Sequence, residues 1–122
     1  MILSGNQINK LLDSGELKIQ PTPQVKEASI KIHFSETFVL KPKEFRITNS
    51  KEKVSLPAHI AGFYDGCAKI SKQGMMTHLG SMFIDPGFEG TITLEMFNAS
   101  DNEISINEND RAGHIVFMEV KP

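Results

Sequence analysis

Glu95 is the acidic residue that the sequence places best for chemistry. It lies in residues 91–97, where every second residue is aliphatic, as in a β-strand with one face in the core. The opposite face then carries Glu95 between Thr93 and Phe97, and a carboxylate beside a hydroxyl and an aromatic ring suits a pocket. A solvated strand glutamate is the alternative reading of the same pattern. Glu95 is therefore the first candidate for a ligand-binding or reacting group.

The other residue types that commonly do chemistry are scattered. The four histidines are separated in the sequence, and Cys67 is the only cysteine. The sequence contains no phosphate-binding GxxxxGK[ST], no GxGxxG and no His-Glu-x-x-His. Lone histidines on strands are usually structural or exposed, so we expect no metal site. The histidines are His33, His59, His78 and His114.

Two local signals define elements that would position Glu95. Ser4 followed by Gln7 forms a capping box, and an apolar stripe that stops at Gly15 predicts one short N-terminal helix. Asp85-Pro86-Gly87 predicts a tight turn before the Glu95 strand, because proline fixes one φ angle and glycine permits a positive one. Turn formation alone would also explain these three residues, without any binding role.

Short alternating segments predict an all-β fold for the rest of the chain. Ile30, Ile32 and Phe34 alternate with polar residues, and further short apolar segments follow between Lys, Pro and Asn breakers. Short strands at regular spacing are typical of a barrel or a sandwich. We therefore expect a distorted β-barrel or jelly-roll-like subunit with a short N-terminal helix. The further segments are residues 38–40, 45–47, 54–56, 91–97, 104–106 and 114–120.

Length and composition limit the broad class of protein. We expect a chain of 122 residues to form one domain, residues 1–122, with a core large enough to fold without disulfides. The net charge of −2 provides no basic field for nucleic acid or an anionic membrane. A single cysteine and the lack of a basic segment followed by an apolar run favour the cytoplasm. We expect neither a membrane nor a nucleic acid among the partners.

Several segments together resemble the dCTP deaminase and dUTPase superfamily. The strongest is the run from Phe83 to Glu95, which is similar to the Ile-Asp-Pro-Gly-aromatic-x-Gly run of that family and its glutamate-bearing strand. Residues 1–19 resemble the family's opening helix and strand, and residues 38–57 resemble a further family segment. The resemblance implies a dUTPase-type fold that assembles as a homotrimer, with deoxynucleotide sites between subunits.

The resemblance also implies roles for individual residues. Glu95 matches the strand glutamate that acts as general base in the deaminases, which activate water without a metal. Asp85 is expected to face the deoxyribose, Phe88 to pack near the sugar, and His114 takes the place of a glutamine in the final strand. We expect no protein-bound cofactor, and Mg²⁺ only in company with nucleotide phosphates.

The chain departs from the family at a motif that contacts phosphate. Gly66-Cys67-Ala68-Lys69 stands where the family has Gly-Arg-Ser-Ser or Gly-Arg-Ser-Gly, so a charged fork and a hydroxyl are lost. Lys69 and Lys72 are the cations left to contact any phosphate, although exposed lysines are usually solvated. The sequence ends at Pro122, where family enzymes continue into a tail that covers the phosphates, so we expect an open site.

These departures favour binding over catalysis. We expect a non-catalytic trimer that binds or sequesters a nucleotide or nucleotide-like molecule, with phage or mobile-element biology as one setting. An active minimal dCTP deaminase or dUTP diphosphatase that uses Glu95 is the enzyme alternative. A regulatory trimer that binds a protein and no nucleotide is the third alternative.

Overall fold

The N-terminal helix has the two ends that the sequence predicts. In the computed structural model, which describes residues 1–122, helix α1 spans Gly5–Ser14. The Ser4 hydroxyl accepts a hydrogen bond from the Gln7 N–H at 3.3 Å, and the Gln7 side chain accepts one from the Ser4 N–H at 3.0 Å. Gly15 ends the helix with a φ of 78°, which glycine adopts without strain. The capping box and the glycine stop are both confirmed.

Ten strands and one further short helix follow α1, and neither helix is long and apolar enough to cross a membrane. Their bounds are β1 Lys18–Gln20, β2 Ile30–His33, β3 Phe38–Leu40, β4 Phe45–Ser55, β5 Ile60–Gly66, α2 Ala68–Ser71, β6 Met75–Met76, β7 Phe83–Ile84, β8 Glu89–Asn98, β9 Ile104–Ile106 and β10 Arg111–Glu119. The chain is therefore mostly β, as the alternating segments predict.

The strands form two four-stranded sheets and one separate strand pair. The first sheet has the order β1-β4-β8-β6, the second has the order β2-β10-β5-β7, and β3 pairs with β9. All of these pairings are antiparallel. No sheet closes on itself, so the expected fold is correct in its distorted jelly-roll-like form and not as a closed barrel.

β4 is one strand where the sequence predicts two. We expected separate strands on either side of the polar residues 48–53, but β4 is continuous and crosses them. Its pairing with β8 shifts register between Asn49 and Lys53. The Ser50 hydroxyl accepts a hydrogen bond from the Ile92 N–H at 2.8 Å within this irregularity. The Ser50 hydroxyl thus takes the place of a backbone carbonyl as the hydrogen-bond acceptor, where the β4–β8 pairing is interrupted.

The core lies between the two four-stranded sheets and consists of one cluster of 25 buried residues. Ile30 and Ile32 of β2 are fully buried, and so are Leu94 and Met96 of β8. Alternate residues of these strands face the core, as the period-two pattern predicts. The same alternation directs Glu95 to the outer face of its sheet.

The sequence analysis does not predict β5, α2 or the two-residue strands β6 and β7. β5 lies between β10 and β7 in the second sheet, and α2 begins two residues after β5 ends. Gly62 interrupts the apolar run of β5, and a Cβ there would lie 3.2 Å from atoms of Ile115 and Ile84. The glycine is therefore explained by close packing between strands, whereas in the sequence it has the character of a strand breaker.

Candidate functional site

A cleft of ≈ 410 Å³ opens beside β7, the turn that follows it, and β8. Its volume is in the range of small-molecule sites. The cleft brings together Asp85, Phe88 and Glu95, three of the six residues that we expected to bind a ligand. Its other lining residues add three hydroxyl groups and three apolar side chains. They are Ser81, Thr91 and Thr93, and Phe83, Ile84 and Ile92.

The turn at one end of the cleft has the geometry that its sequence predicts. Gly87 has a φ of 85°, and the Phe88 N–H donates to the Asp85 carbonyl oxygen at 3.1 Å. Pro86 at the second position of the turn has its own φ angle fixed by its ring. The turn therefore presents the exposed Asp85 carboxylate and the half-buried Phe88 ring to the same cleft.

One neighbouring strand and the residue that follows another hold Glu95 in place. Glu95 lies opposite Ile47 of β4, and on its other side its N–H donates to the Thr77 carbonyl oxygen at 3.2 Å. Its side chain is half-buried and shares the outer face with Thr93 and Phe97. The three side chains therefore lie on the predicted face of β8, and the backbone that carries them is a strand rather than a loop.

Thr77 is itself fixed by the tyrosine of the chain. The Tyr64 hydroxyl donates to the Thr77 Oγ1 at 2.9 Å, and both residues are buried. Burial raises the pKa of Tyr64 well above its ordinary value near 10, more than the hydrogen bond to Thr77 lowers it. A buried hydrogen bond from the second sheet therefore positions the backbone that holds Glu95.

Lys69, Lys72 and His114 do not line the cleft of their own chain. Lys69 lies in α2 and Lys72 follows it, and both are exposed. His114 lies on β10 opposite Asp65 of β5. Their expected ligand contacts stay predictions, because one chain brings together only the residues from Asp85 to Glu95.

His114 instead belongs to a cluster that sequence reasoning missed. Its Nε2 lies 3.3 Å from one Asp65 oxygen, and the Nε2 of His78 lies 3.8 Å from the other. The His78 ring packs edge-on against Tyr64, with 5.7 Å between ring centroids. No local signal could have found this cluster, because Asp65 lies on the unpredicted β5 and its partners come from two other parts of the chain.

The residues that replace the family's arginine and serine offer no cation and no hydroxyl. Cys67 is buried, and its Sγ lies 3.5 Å from the Arg111 carbonyl oxygen, within the range of a weak hydrogen bond. Ala68 is exposed at the start of α2. These two side chains present neither a charge nor an oxygen or nitrogen to solvent, and the exposed Lys69 follows them in α2.

The outer face of the first sheet carries exposed apolar side chains beside Glu95. Phe45 and Ile47 on β4 are 51% and 57% exposed, and Met76 on β6 is 44% exposed. Phe45 lies opposite Phe97, and Met76 lies opposite Phe97 from the other side. Large apolar side chains that cluster on one face are typical of an interaction surface.

The family can be assigned from the match of the sequence to a family model. The model described as dCTP deaminase-like matches residues 30–120, which include β2 to β10 and every residue of the cleft. The chain belongs to the dCTP deaminase-like family. The resemblance seen in the sequence is therefore confirmed.

Curated relatives in this family share the name "dCTP deaminase, dUMP-forming". The Corynebacterium diphtheriae protein is 36% identical over 104 residues, covering 84% of this chain and 56% of that protein. The Aquifex aeolicus protein is 30% identical over 149 residues, covering 98% of this chain and 82% of that protein. Because 149 aligned positions exceed the 122 residues of this chain, that relative has additional internal segments.

Solved structures of phage dUTPases share the fold. A mutant dUTPase from phage phi11 of S. aureus superposes with a TM-score of 0.75 at 18% identity, covering 87% of this chain and 92% of that chain. A mutant dUTPase of Staphylococcus bacteriophage 80alpha with dUpNHpp has a TM-score of 0.74 at 18% identity, covering 87% and 83%. The dUTPase-type fold is therefore confirmed for this dCTP deaminase-like chain.

Proposed function

We propose that this dCTP deaminase-like chain is a non-catalytic protein that binds or sequesters a nucleotide or a nucleotide-like molecule in the Asp85–Glu95 cleft. The observation that carries the proposal is the contrast between two parts of the expected site. The turn and strand from Asp85 to Glu95 form a cleft, whereas the side chains of Cys67 and Ala68 supply neither the cation nor the hydroxyl that the resemblance implies for a phosphate contact. Relatives named as deaminases and dUTPases support the ligand class.

The missing groups argue against turnover. One preorganised hydrogen-bond donor contributes roughly a hundredfold to a thousandfold to catalysis, and both an arginine and a serine are replaced here. The buried Cys67 thiol cannot act as a substitute donor, because it faces the Arg111 carbonyl oxygen inside the protein. Glu95 alone would therefore leave a binding site with little catalytic power.

The proposal includes a homotrimer of one-domain subunits, residues 1–122. The apolar outer face beside Glu95 supports assembly, because burial of Phe45, Ile47 and Met76 would remove exposed apolar area from water. Assembly would also allow Lys69, Lys72 and His114 of one copy to approach the cleft of another. Light scattering tests the assembly, and a monomer at micromolar concentration would remove this part of the proposal.

Glu95→Gln tests the site while keeping the shape of the side chain. If Glu95 accepts a ligand hydrogen bond, the change weakens binding by about 1–3 kcal/mol, measured by calorimetry with a panel of deoxynucleosides and deoxynucleotides. Glu89→Gln is the matched control, because Glu89 is exposed on the same strand and does not line the cleft. Equal affinities of Glu95→Gln and the parent protein for every bound compound would refute the site.

The two alternatives predict different outcomes in the same experiments. The enzyme alternative has Glu95 beside the Thr93 hydroxyl in its favour, and it predicts turnover of dCTP or dUTP by the purified protein. Product formation at about one per second, an ordinary enzymatic rate, would replace the binding proposal with this one. The protein-binding alternative predicts a trimer that binds none of the compounds.

A further inference from the structure

The two walls of the cleft belong to different sheets. Thr93 and Glu95 lie on β8 of the first sheet, whereas Phe83 lies on β7 of the second sheet. A connecting segment, residues 77–82, joins β6 of the first sheet to β7 of the second. The separation of the two walls therefore depends on the contacts that hold this connecting segment.

Tyr64 of β5 holds both ends of the connecting segment. Its hydroxyl donates to the Oγ1 of Thr77, the first residue of the segment, at 2.9 Å. Its backbone N–H donates to the carbonyl oxygen of Met82, the last residue, at 2.8 Å. The Thr77 carbonyl oxygen accepts the Glu95 N–H at 3.2 Å, and Met82 directly precedes Phe83. One residue is thus connected to both walls of the cleft.

Two glycines leave room for the hydrogen bond between Tyr64 and Thr77. A Cβ at Gly113 would lie 2.6 Å from the Tyr64 Oη, and a Cβ at Gly66 would lie 3.0 Å from the Thr77 Oγ1. Tyr64 and Thr77 are 1% and 3% exposed, so water cannot replace either partner. The bond is also the only hydrogen bond of the Thr77 side chain. A buried bond without a competing partner holds Thr77 in one position.

From this double connection we infer that Tyr64 is a positioning residue of the cleft, which sets the separation between Glu95 on one wall and Phe83 on the other. The inference rests on the proposed function, because it assigns a role within that site. Tyr64 does not line the cleft, so it acts through Thr77 and Met82 and touches no ligand. A molecule that contacts both walls needs them at a fixed separation, because hydrogen bonds weaken steeply away from their preferred distance and angle.

Hydrogen exchange of single backbone amides, followed by NMR, tests the positioning without a ligand. In Tyr64→Phe, exchange of the Glu95 amide should rise about fivefold relative to the Ile92 amide, as expected for the loss of one buried hydrogen bond. Ile92 is the internal reference, because it lies on the same strand and its N–H donates to Ser50 on the opposite side. An unchanged ratio of the two exchange rates in Tyr64→Phe would overturn the inference.

Ser4→Ala is the matched control for stability. It removes the side-chain cap of α1 at a comparable cost in the free energy of unfolding, and α1 does not line the cleft. Global destabilisation accelerates exchange of the Glu95 and Ile92 amides alike, so the ratio should stay at the parent's value. A ratio that rises as much in Ser4→Ala as in Tyr64→Phe would show a general loss of stability and would overturn the inference.

Variants of Thr77 separate positioning from stability. Thr77→Ser keeps the acceptor oxygen and should keep the parent's exchange ratio. The double variant Tyr64→Phe/Thr77→Val replaces both partners by apolar groups of similar shape, so it should be more stable than Thr77→Val alone in urea denaturation. Its exchange ratio should nevertheless stay raised, because no directional bond holds the segment. A double variant with the parent's exchange ratio would overturn the inference.

Calorimetry then connects the positioning to the proposed site. Deoxycytidine, dCTP, deoxyuridine and dUTP are each titrated into the parent protein, Tyr64→Phe and Ser4→Ala. For a compound that the parent binds, we expect about fivefold weaker affinity in Tyr64→Phe and the parent's affinity in Ser4→Ala. Equal affinities in all three proteins would overturn the inference while the proposed function stands. Failure of the parent to bind any of the four compounds would refute the proposed function, and the exchange ratio would still decide whether Tyr64 positions Glu95.

Discussion

Tyr64→Phe removes the hydroxyl that supports the backbone beside Glu95. The Tyr64 hydroxyl donates to Thr77 Oγ1 at 2.9 Å, and both groups are buried, so water cannot replace the lost partner. We expect the variant to fold and to lose about 1 kcal/mol of its free energy of unfolding at pH 8. Thr77→Val is the matched control, since it leaves the Tyr64 hydroxyl buried without an acceptor and should cost at least as much.

The pH dependence of the difference in stability between the parent protein and Tyr64→Phe gives the sharper test. Burial raises the pKa of Tyr64 in the folded protein, whereas the unfolded chain ionises this tyrosine near 10. The stability that depends on the neutral phenol is present below pH 10 and is lost as the pH rises above it. At pH 11 the unfolded state gains about 1.4 kcal/mol from this ionisation, which the phenylalanine variant cannot show. The parent's advantage of about 1 kcal/mol should therefore disappear by pH 11 and turn into a small disadvantage.

Urea denaturation followed by circular dichroism measures both proteins at pH 8 and pH 11. Tyr64 is the only tyrosine, and the two proteins are identical at every other position, so subtraction isolates this one group. Tyrosinate absorbance should appear on unfolding and not in the folded protein at pH 11. A difference between parent and variant that stays constant with pH, or folded protein that ionises near pH 10, would refute the argument.

Two further predictions concern buried polar groups of the scaffold. Glu52 is 3% exposed, and its Oε2 lies 2.5 Å from the His33 Nδ1. His33→Ala should therefore lower the free energy of unfolding, measured by urea denaturation, by about 3 kcal/mol. Glu52→Gln should lower it by less, because an amide can still form hydrogen bonds. The fully buried Asn98 side chain donates hydrogen bonds to two backbone carbonyl groups and accepts two from Ser100. Asn98→Ala should therefore lower the free energy of unfolding by about 3 kcal/mol, and Ser100→Ala should lower it by clearly less. Equal losses in the two variants would contradict this account.

Local signals predicted the parts of the fold that have local causes. The capping box at Ser4, the stop at Gly15 and the turn ending at Gly87 depend on neighbours within four residues, so the sequence shows them directly. The two faces of β8 follow from alternation along one strand. The position of Glu95 on the outer face was predictable for the same reason, although its ligand contacts stay a prediction.

The sequence analysis missed β5 and the histidine cluster because both depend on contacts between residues that are distant in the sequence. β5 was missed because Gly62 is required by side chains of two other strands, Ile84 and Ile115, and no nearby residue reveals that requirement. The histidine cluster around Asp65 was missed because its members are brought together only by the order of the second sheet. Residues that assemble across sheets cannot be grouped by spacing along the chain.

The place of β10 in the second sheet has a consequence for how the protein folds during synthesis. β10 is the last strand in the sequence, yet it lies between β2 and β5 and forms the contact between them. The Leu3 N–H also donates to the Phe117 carbonyl oxygen at 2.9 Å, which joins the start of the chain to this strand. While the ribosome still holds β10, β2 has no partner in its sheet, and the apolar side chains of Ile30 and Ile32 cannot be buried. The second sheet therefore stays incomplete until β10 has been synthesised, and its earliest strands depend on rapid folding afterwards to avoid aggregation.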